Sequence, residues 1–262
     1  MPELPEVETI CRQLDKAIKG KKIADIEVLS EKQFSGDKKD VINCAVKSVK
    51  RIGKMINIAL DNNYAILIHL KMTGQLTTLS HKYTRIIFTF DDNSKLFFND
   101  LRKFGWIRVI PSDQTGVEGS LGIDALSIKL TTDYLQQVFQ RKKNTAIKSV
   151  LMDQSLISGI GNIYSDEILF CAKILPFRKA GEINNNEIKK LKSCIPNVLE
   201  TAIEYGGTSF SDYRQADGKR GGYLDVAKVY GRKKAKCRLC GNKIQFQKVG
   251  QRTAHYCSNC QK

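Results

Sequence analysis

The N-terminal segment PELPEVET (residues 2–9) places two prolines and three glutamates ahead of a helical pattern, in a chain that is otherwise strongly basic. One interpretation is the chemistry of a helix start, because proline suits the first turn and carboxylates suit the positive end of the helix dipole. The other interpretation is catalytic. Removal of Met1 would leave Pro2 as a secondary amine with a pKa near ~8, so part of it would be neutral and nucleophilic at pH 7. Glu3 would then lie beside that amine and could transfer protons.

Beyond this segment, the spacing of apolar residues along the chain changes twice. Apolar residues at helical spacing extend the first helix to Ile18, and Gly20 ends it. Residues 22–110 form short β-rich runs between turn signals, which predicts six or seven strands in a sandwich or barrel. Helical patterns return over 131–205. The predicted fold class is therefore α+β, with an N-terminal helix and β-sandwich domain (1–112), a linker (113–130), a helical domain that includes a mobile Gly- and Ser-rich loop (131–228) and a cysteine-rich end (229–262).

Charge indicates the kind of partner. The 262 residues carry 43 Lys and Arg against 27 Asp and Glu, a net charge of +16. Clustered Lys and Arg bind nucleic acid well because they neutralise phosphates and release counterions, so nucleic acid is the first expected partner. The alternative is a basic protein that does not bind nucleic acid. The sequence shows neither a signal peptide nor an apolar run long enough to cross a membrane, which predicts a cytoplasmic, nucleoid-associated protein without membrane contact.

The cysteines fall into two groups. Cys237, Cys240, Cys257 and Cys260 form a CxxC–x16–CxxC pattern, the spacing of a structural zinc site with four thiolate ligands. Two disulfides are the alternative for these four. A module this small cannot bury enough core to fold without a bound metal ion. With zinc bound, its basic hairpin would be held against DNA. The scattered Cys11, Cys44, Cys171 and Cys194 are predicted to be reduced, small hydrophobic residues.

Several motifs in register along the whole chain resemble the formamidopyrimidine-DNA glycosylase family of bacterial repair enzymes. They are PELPEVET (2–9), HLKMTGQL (69–76), NDLRKFGW (99–106), TAIKSVLMDQSLISGIGNIYSDEILF (145–170), SFSDYRQADGKRG (209–221), VYGR (229–232) and the terminal cysteines. Leu4 favours the oxidised-purine branch over the related endonuclease VIII group, which acts on oxidised pyrimidines and usually begins Pro-Glu-Gly-Pro-Glu.

The resemblance implies roles for individual residues. In the catalytic set, Pro2 is the nucleophile, Glu3 the proton donor, Glu6 a further carboxylate near the site and Lys54 an assisting ammonium. The implied DNA contacts comprise a trio that fills the gap left by the flipped nucleotide (Met72, Arg102 and Phe104) and contacts near the lesion or its phosphates (His69, Lys148, Asn162, Tyr230 and Arg252). Asn162 lies in GIGNIY (159–164), which resembles a helix–two-turn–helix element that binds phosphate. Residues 211–223 match a loop that closes over the flipped base.

Together these features predict a bifunctional, monomeric enzyme acting on double-stranded DNA that contains oxidised bases or abasic sites. It would excise an oxidised purine such as 8-oxoguanine or a formamidopyrimidine and cut the strand by β,δ-elimination through a Schiff base. One structural zinc and no organic cofactor are expected. The alternatives are the same chemistry on oxidised pyrimidines, and a non-catalytic zinc-finger binder of damaged DNA. Thr73 stands where relatives often carry Glu or Ser, so contacts to the lesion are expected to differ.

Overall fold

The computed structural model describes residues 1–114, 121–209 and 212–262, so parts of the predicted linker and of the predicted loop lie outside the described residues. The chain divides into two compact units, one formed by residues 1–119 with 205–222 and the other by residues 120–204 with 223–262. Segment 205–222 therefore belongs with the first unit, whereas the sequence pattern predicts it as part of the helical domain. No described helix is long and apolar enough to span a bilayer.

The first unit is one helix with two β-sheets. Helix α1 spans Leu4–Ile18, and the strands are β1 (Ile23–Val28), β2 (Phe34–Ser35), β3 (Val46–Ile52), β4 (Met55–Leu60), β5 (Tyr64–His69), β6 (Gly74–Thr77), β7 (Thr84–Phe90), β8 (Lys95–Asp100) and β9 (Trp106–Pro111). The sheets have the strand orders β1-β7-β8-β6 and β2-β9-β5-β4-β3. Apolar residues of α1 and of both sheets form one buried cluster, which confirms the predicted β-rich domain.

Two of these strands are absent from the sequence prediction. Strand β2 has two residues and pairs in parallel with β9, and β6 (GQLT) pairs with β8. Neither carries enough alternation of apolar and polar residues to be recognised, because pairing and not periodicity defines a strand this short. Strand β6 matters for the site because it follows directly on the turn that carries Met72.

The second unit contains the helices α2 (Thr132–Arg141), α3 (Ile147–Met152), α4 (Asn162–Ala172) and α5 (Asn185–Glu204). Two short strands, β10 (Ile123–Asp124) and β11 (Ile157–Ser158), pair in parallel, and β12 (Gln245–Val249) with β13 (Arg252–Tyr256) forms an antiparallel hairpin. Helix α4 is buried along most of its length and packs against α5 and β13. A helix buried on all sides reads as uniformly apolar rather than amphipathic, and ILFCA at its end shows this pattern.

One expectation for the cysteines is wrong. Cys171 at the end of α4 and Cys194 in α5 are joined by a disulfide, with Cα atoms 5.8 Å apart. The two residues are 23 positions apart, and sequence alone gave no reason to pair them because neither lies in a recognisable motif. Cys11 is buried and Cys44 half-buried, and both are free thiols as expected.

Candidate functional site

The N-terminal acidic segment is packed into the interior of the first unit. Pro2 is buried, and Glu3 and Glu6 are 3% and 1% exposed, although both carry carboxyl groups. Helix α1 begins at Leu4 with Glu3 as its N-cap residue, so the helix-start interpretation of the motif is correct in local structure. The Glu6 carboxylate accepts a hydrogen bond of 2.8 Å from the Glu3 backbone N–H. Local capping and burial thus fix the position of the first residues.

Glu6 also joins the N-terminus to segment 205–222 of the same unit. Its second carboxylate oxygen accepts from the Thr208 backbone N–H at 2.7 Å, and its backbone carbonyl accepts from the Tyr213 hydroxyl at 3.3 Å. Gly207 has φ +80°, and a Cβ there would lie 2.9 Å from Glu6 Oε1, so the close approach requires glycine. Thr208, Gly207 and Tyr213 were missed by sequence reasoning, which had only the motif SFSDYRQADGKRG to indicate this segment.

Lys54 lies at a two-residue turn between β3 and β4, whose ends pair at Ile52 and Met55. Gly53, the first turn residue, has φ +57°, as tight hairpins of this kind require. Arg51 donates to the Gly53 carbonyl at 3.0 Å and forms an ion pair with Glu8 of α1 at 3.1 Å. This bridge fixes the turn to α1, and Lys54 is only 7% exposed.

These groups act electrostatically on the amine at the start of the chain. Burial lowers the pKa of the Met1 amine, and the Lys54 charge lowers it further, while Glu3, Glu6 and Asp212 oppose the shift. An amine at this end of the chain therefore has a larger neutral fraction at pH 7 than an exposed one. In the first unit, the N-terminal amine therefore lies within electrostatic range of two buried carboxylates, Glu3 and Glu6, and of the buried Lys54 ammonium.

His69 is held in its neutral form. Burial lowers its pKa to about 3, with the Lys71 and Lys54 charges contributing, and its Nδ1 accepts a hydrogen bond of 3.0 Å from the Lys71 backbone N–H. A neutral ring cannot attract phosphate by charge, so any contact with phosphate would have to be an N–H donor from Nε2. The hydrogen bond from the Lys71 N–H to His69 Nδ1 stabilises the turn that carries Met72.

The three predicted gap-filling residues lie on two exposed turns of the first unit. Met72 is 40% exposed in the turn between β5 and β6, and Phe104 is 56% exposed in the turn between β8 and β9. The Arg102 guanidinium lies over the Phe104 ring, 4.8 Å from its centroid. The two turns thus present two large apolar side chains and a guanidinium to solvent. Near these turns a cavity of about 400 Å³ is lined by Thr73, Gln75, Asp212, Arg214 and other residues of the same unit.

In the second unit, the GIGN turn precedes α4, with Gly161 as the N-cap residue and Asn162 as the first helical residue. Gln154 braces this turn by accepting from the Gly159 N–H at 2.9 Å and donating to the Ile160 carbonyl at 2.7 Å. Among the described residues, the buried Asn162 Oδ1 has no hydrogen-bond partner, and exchanging the amide's O and N would present a donor there. The turn therefore offers a helix N-terminus and one amide atom of Asn162 that has no partner among the described residues.

Lys148 is not a surface residue. It is 0% exposed, and its ammonium forms an ion pair with the buried Asp166 of α4 and donates to the Asn162 carbonyl at 3.3 Å. Asp166 also accepts from the His255 backbone N–H at 2.9 Å and contacts His255 Nδ1 at 3.0 Å. The geometry places Lys148 in the interior, where it links the GIGN turn through Asp166 to the β12–β13 hairpin, and its expected contact near the lesion stays a prediction.

A second buried carboxylate organises the segment that carries Tyr230. Glu167 accepts hydrogen bonds of 2.8 Å from the consecutive backbone N–H groups of Lys228, Val229 and Tyr230. Its burial raises its pKa, and the three N–H donors oppose that shift by favouring the charged form. The Tyr230 ring packs edge-on to His255, with centroids 5.0 Å apart. Neither Asp166 nor Glu167 stood out in the sequence, although they adjoin each other in α4.

The four predicted zinc ligands converge. The sulfur atoms of Cys237, Cys240, Cys257 and Cys260 all lie within 4.8 Å of one another, with Cys237–Cys260 at 3.9 Å and Cys240–Cys257 at 3.5 Å. Four thiolates about 2.3 Å from one tetrahedral ion would be about 3.8 Å apart, so the cluster fits zinc. Phe170 of α4 packs against this cluster. Residues 228–262 contain ten Lys and Arg and no acidic residue, and Arg252 is exposed at the end of the hairpin.

Comparison with known proteins covers the whole chain. Three family models match: the formamidopyrimidine-DNA glycosylase N-terminal domain at residues 1–107, the helix–two-turn–helix domain of the same family at 121–214, and the zinc finger shared with isoleucyl-tRNA synthetases at 235–262. The formamidopyrimidine-DNA glycosylase of Exiguobacterium is 37% identical over all of this chain and 99% of its own length. The enzyme of Prochlorococcus marinus strain SARG is 39% identical over the full length of both.

Solved structures agree with the sequence relatives. The MutM (Fpg) protein of Thermus thermophilus superposes with a TM-score of 0.92 at 31% identity, over 99% of this chain and 98% of that one. The Lactococcus lactis Fpg in complex with DNA containing an abasic site gives a TM-score of 0.90 at 32% identity, over 99% of both chains. With matches that span both units and the cysteine cluster, this chain belongs to the formamidopyrimidine-DNA glycosylase family.

Proposed function

We propose that this protein excises oxidised purines from duplex DNA and then cuts the abasic strand, with Pro2 as nucleophile. The DNA glycosylase activity in repair of oxidised purines follows from membership of the family. The strand cleavage and the residue roles are the proposal. The observation that carries them is the packing of Pro2, Glu3, Glu6 and Lys54 into one unit, in which burial lowers the pKa of the amine of Met1, the residue next to Pro2.

The chemistry begins once Met1 is removed. The neutral Pro2 nitrogen attacks C1′ of the damaged nucleotide, the C1′–N bond to the base breaks, and the base leaves with a proton. Opening of the sugar gives an iminium, which is charged without protonation because proline is a secondary amine. The iminium withdraws electrons, so loss of a C2′ proton expels the 3′-phosphate by β-elimination, and δ-elimination then expels the 5′-phosphate. Water then hydrolyses the iminium, which frees Pro2 and releases the sugar remnant as an unsaturated aldehyde, so the strand is left with a gap and phosphate ends.

Each acid and base has a place in these steps. Glu3, beside the amine, protonates the sugar oxygen as the ring opens. Lys54 supplies a proton to the departing base or holds a phosphate. The Glu6 carboxylate accepts hydrogen bonds from the backbone N–H groups of Glu3 and Thr208. Because both of its oxygens hold the backbone in place, we assign Glu6 to positioning the other groups.

DNA contacts are proposed separately for the two units. In the first, Met72 and Phe104 enter the space left by the flipped nucleotide and Arg102 pairs with the orphaned base. In the second, Asn162 at the α4 N-terminus and Arg252 at the hairpin end bind phosphate, with Tyr230 nearby. Zinc bound by the four cysteines would have a structural role, because a closed thiolate shell leaves no position for substrate. We propose a monomer with one zinc and no organic cofactor.

Borohydride trapping tests this function. Reduction of the iminium should link the protein covalently to an 8-oxoguanine duplex, with the adduct on the N-terminal peptide. Pro2→Gly should strongly reduce trapping, while Pro5→Ala, at a second buried proline in α1, should keep it. An adduct on a lysine would refute the assignment of Pro2. Binding without excision or trapping would favour the non-catalytic DNA binder, and a preference for oxidised pyrimidines would favour the endonuclease VIII alternative.

A further inference from the structure

The buried carboxylate of Asp100 ends strand β8, directly before the turn that carries Arg102 and Phe104. Asp100 is 1% exposed. Its Oδ2 accepts from the Gly105 backbone N–H at 2.8 Å and from Gln33 Nε2 at 3.0 Å. Its Oδ1 accepts from the Thr73 hydroxyl at 2.5 Å and lies 3.2 Å from the Arg102 backbone nitrogen, which donates to it. Four donors from three segments of the chain thus converge on one carboxylate.

Two of these donors bracket the turn of residues 101–105. Arg102 and Gly105 lie on either side of Phe104, and Lys103 between them has φ +57°, a left-handed conformation that non-glycine residues rarely adopt. Gly105 also fits only without a side chain, because a Cβ would lie 2.7 Å from the Phe98 ring. A turn with an unfavourable backbone conformation needs fixed hydrogen bonds to keep one geometry, and Asp100 supplies them.

Thr73 extends the same network to the other turn. Its hydroxyl donates to Asp100 and accepts from the Arg102 backbone N–H at 3.0 Å, so it contacts the carboxylate and the turn at once. Thr73 directly follows Met72, and it is 9% exposed. The hydroxyl therefore joins the turn that carries Met72 to the turn that carries Arg102 and Phe104.

We infer that Asp100 and Thr73 are positioning residues that set the selectivity of Arg102 for the base opposite the lesion. The inference rests on the proposed function, because it requires Arg102 to face that base. A contact that discriminates bases needs its donors placed to within tenths of an ångström, whereas phosphate attraction tolerates larger displacements. Loss of the network should therefore reduce base selectivity more than affinity for DNA.

Matched substitutions separate the hydroxyl from its packing. Thr73→Val keeps the shape and removes the hydroxyl, Thr73→Ser keeps the hydroxyl, and Asp100→Asn places an amide donor among the four donors. Thr9→Val is the control, because Thr9 is 7% exposed and its hydroxyl contacts the Pro5 carbonyl and Tyr213, neither of which belongs to this network. The readout is the ratio of excision rates between the best and the worst of the four opposite bases, with affinity for an undamaged duplex measured beside it.

Thr73→Val and Asp100→Asn should each reduce that ratio by about tenfold, the discrimination of a good base-edge contact. Thr73→Ser should restore most of it, and Thr9→Val should leave it unchanged. In an Arg102→Ala background, Thr73→Val should cause no further loss, because the two substitutions then act on one contact. If Thr73→Val retains the wild-type ratio, or lowers it equally with and without Arg102, the inference is wrong. A wild-type protein without excision or opposite-base preference would instead contradict the proposed function.

Discussion

Replacing Lys148 by methionine should strongly destabilise the second unit. Methionine has nearly the length and helix propensity of lysine but no ammonium, so the change removes the buried ion pair and the hydrogen bond to the Asn162 carbonyl while keeping most of the packing. Lys148 and Asp166 side chains are 1% and 0% exposed. Asp166 would keep its two contacts with His255 but lose the ammonium with which it is paired.

The magnitude follows from the burial of both partners. Breaking a fully buried pair by removing one member costs about 3–5 kcal/mol, because the remaining charge stays out of water without compensation. For a unit of this size, that corresponds to a Tm lower by roughly 10 °C or more. Lys189→Met is the control, since Lys189 lies exposed on α5 of the same unit and should change stability by less than about 0.5 kcal/mol.

Two spectroscopic probes report on the two units. Circular dichroism at helical wavelengths is dominated by α2–α5 of the second unit, whereas Trp106, the single tryptophan, lies in β9 of the first. Urea denaturation of Lys148→Met should shift the circular dichroism transition to lower urea. A shift no larger than that of Lys189→Met would refute the reasoning, because it would show that the Lys148–Asp166 pair contributes no more than a surface charge.

Two further predictions concern titration and oxidation. Burial lowers the pKa of His69 to about 3. The unfolded chain therefore takes up a proton below about pH 6.5 that the folded protein does not, so stability should fall from pH 7 to 5 by up to about 1.4 kcal/mol per pH unit for this group. His69→Gln should flatten that dependence in urea denaturation, and an unchanged slope would contradict the neutral histidine. Reduction of Cys171–Cys194, which closes a separation of 23 residues, should cost about 3 kcal/mol in the second unit. The same reductant should not affect Cys194→Ser, and alkylation of Cys171 or Cys194 in the untreated protein, located by peptide mapping, would contradict the bond.

Much of the candidate site could be predicted from sequence because its residues lie in contiguous motifs. CxxC turns place paired ligands within a few residues, so spacing alone predicted a metal cluster whose four sulfur atoms then converged. The helix start at Leu4 and the turn at Lys54 follow from local rules for proline, carboxylates and glycine. Seven of the nine strands of the first unit were visible as β-rich runs, whereas β2 and β6 exist only because β9 and β8 pair with them.

By itself, the sequence predicted which residues would carry chemistry: the N-terminal proline and glutamate, the four cysteine ligands and Arg252. Only the tertiary structure decided which charged groups are buried and hydrogen-bonded inside the protein. The sequence indicated Lys148 and Glu6 only as site residues and did not single out Asp100, and it could not predict that all three are buried, because burial of a charge depends on donors from distant segments. Thr208 lies 202 residues from Glu6, and His255 lies 89 residues from Asp166. No local pattern encodes those distances, since a buried charge is stable only once the whole unit brings its partners to it.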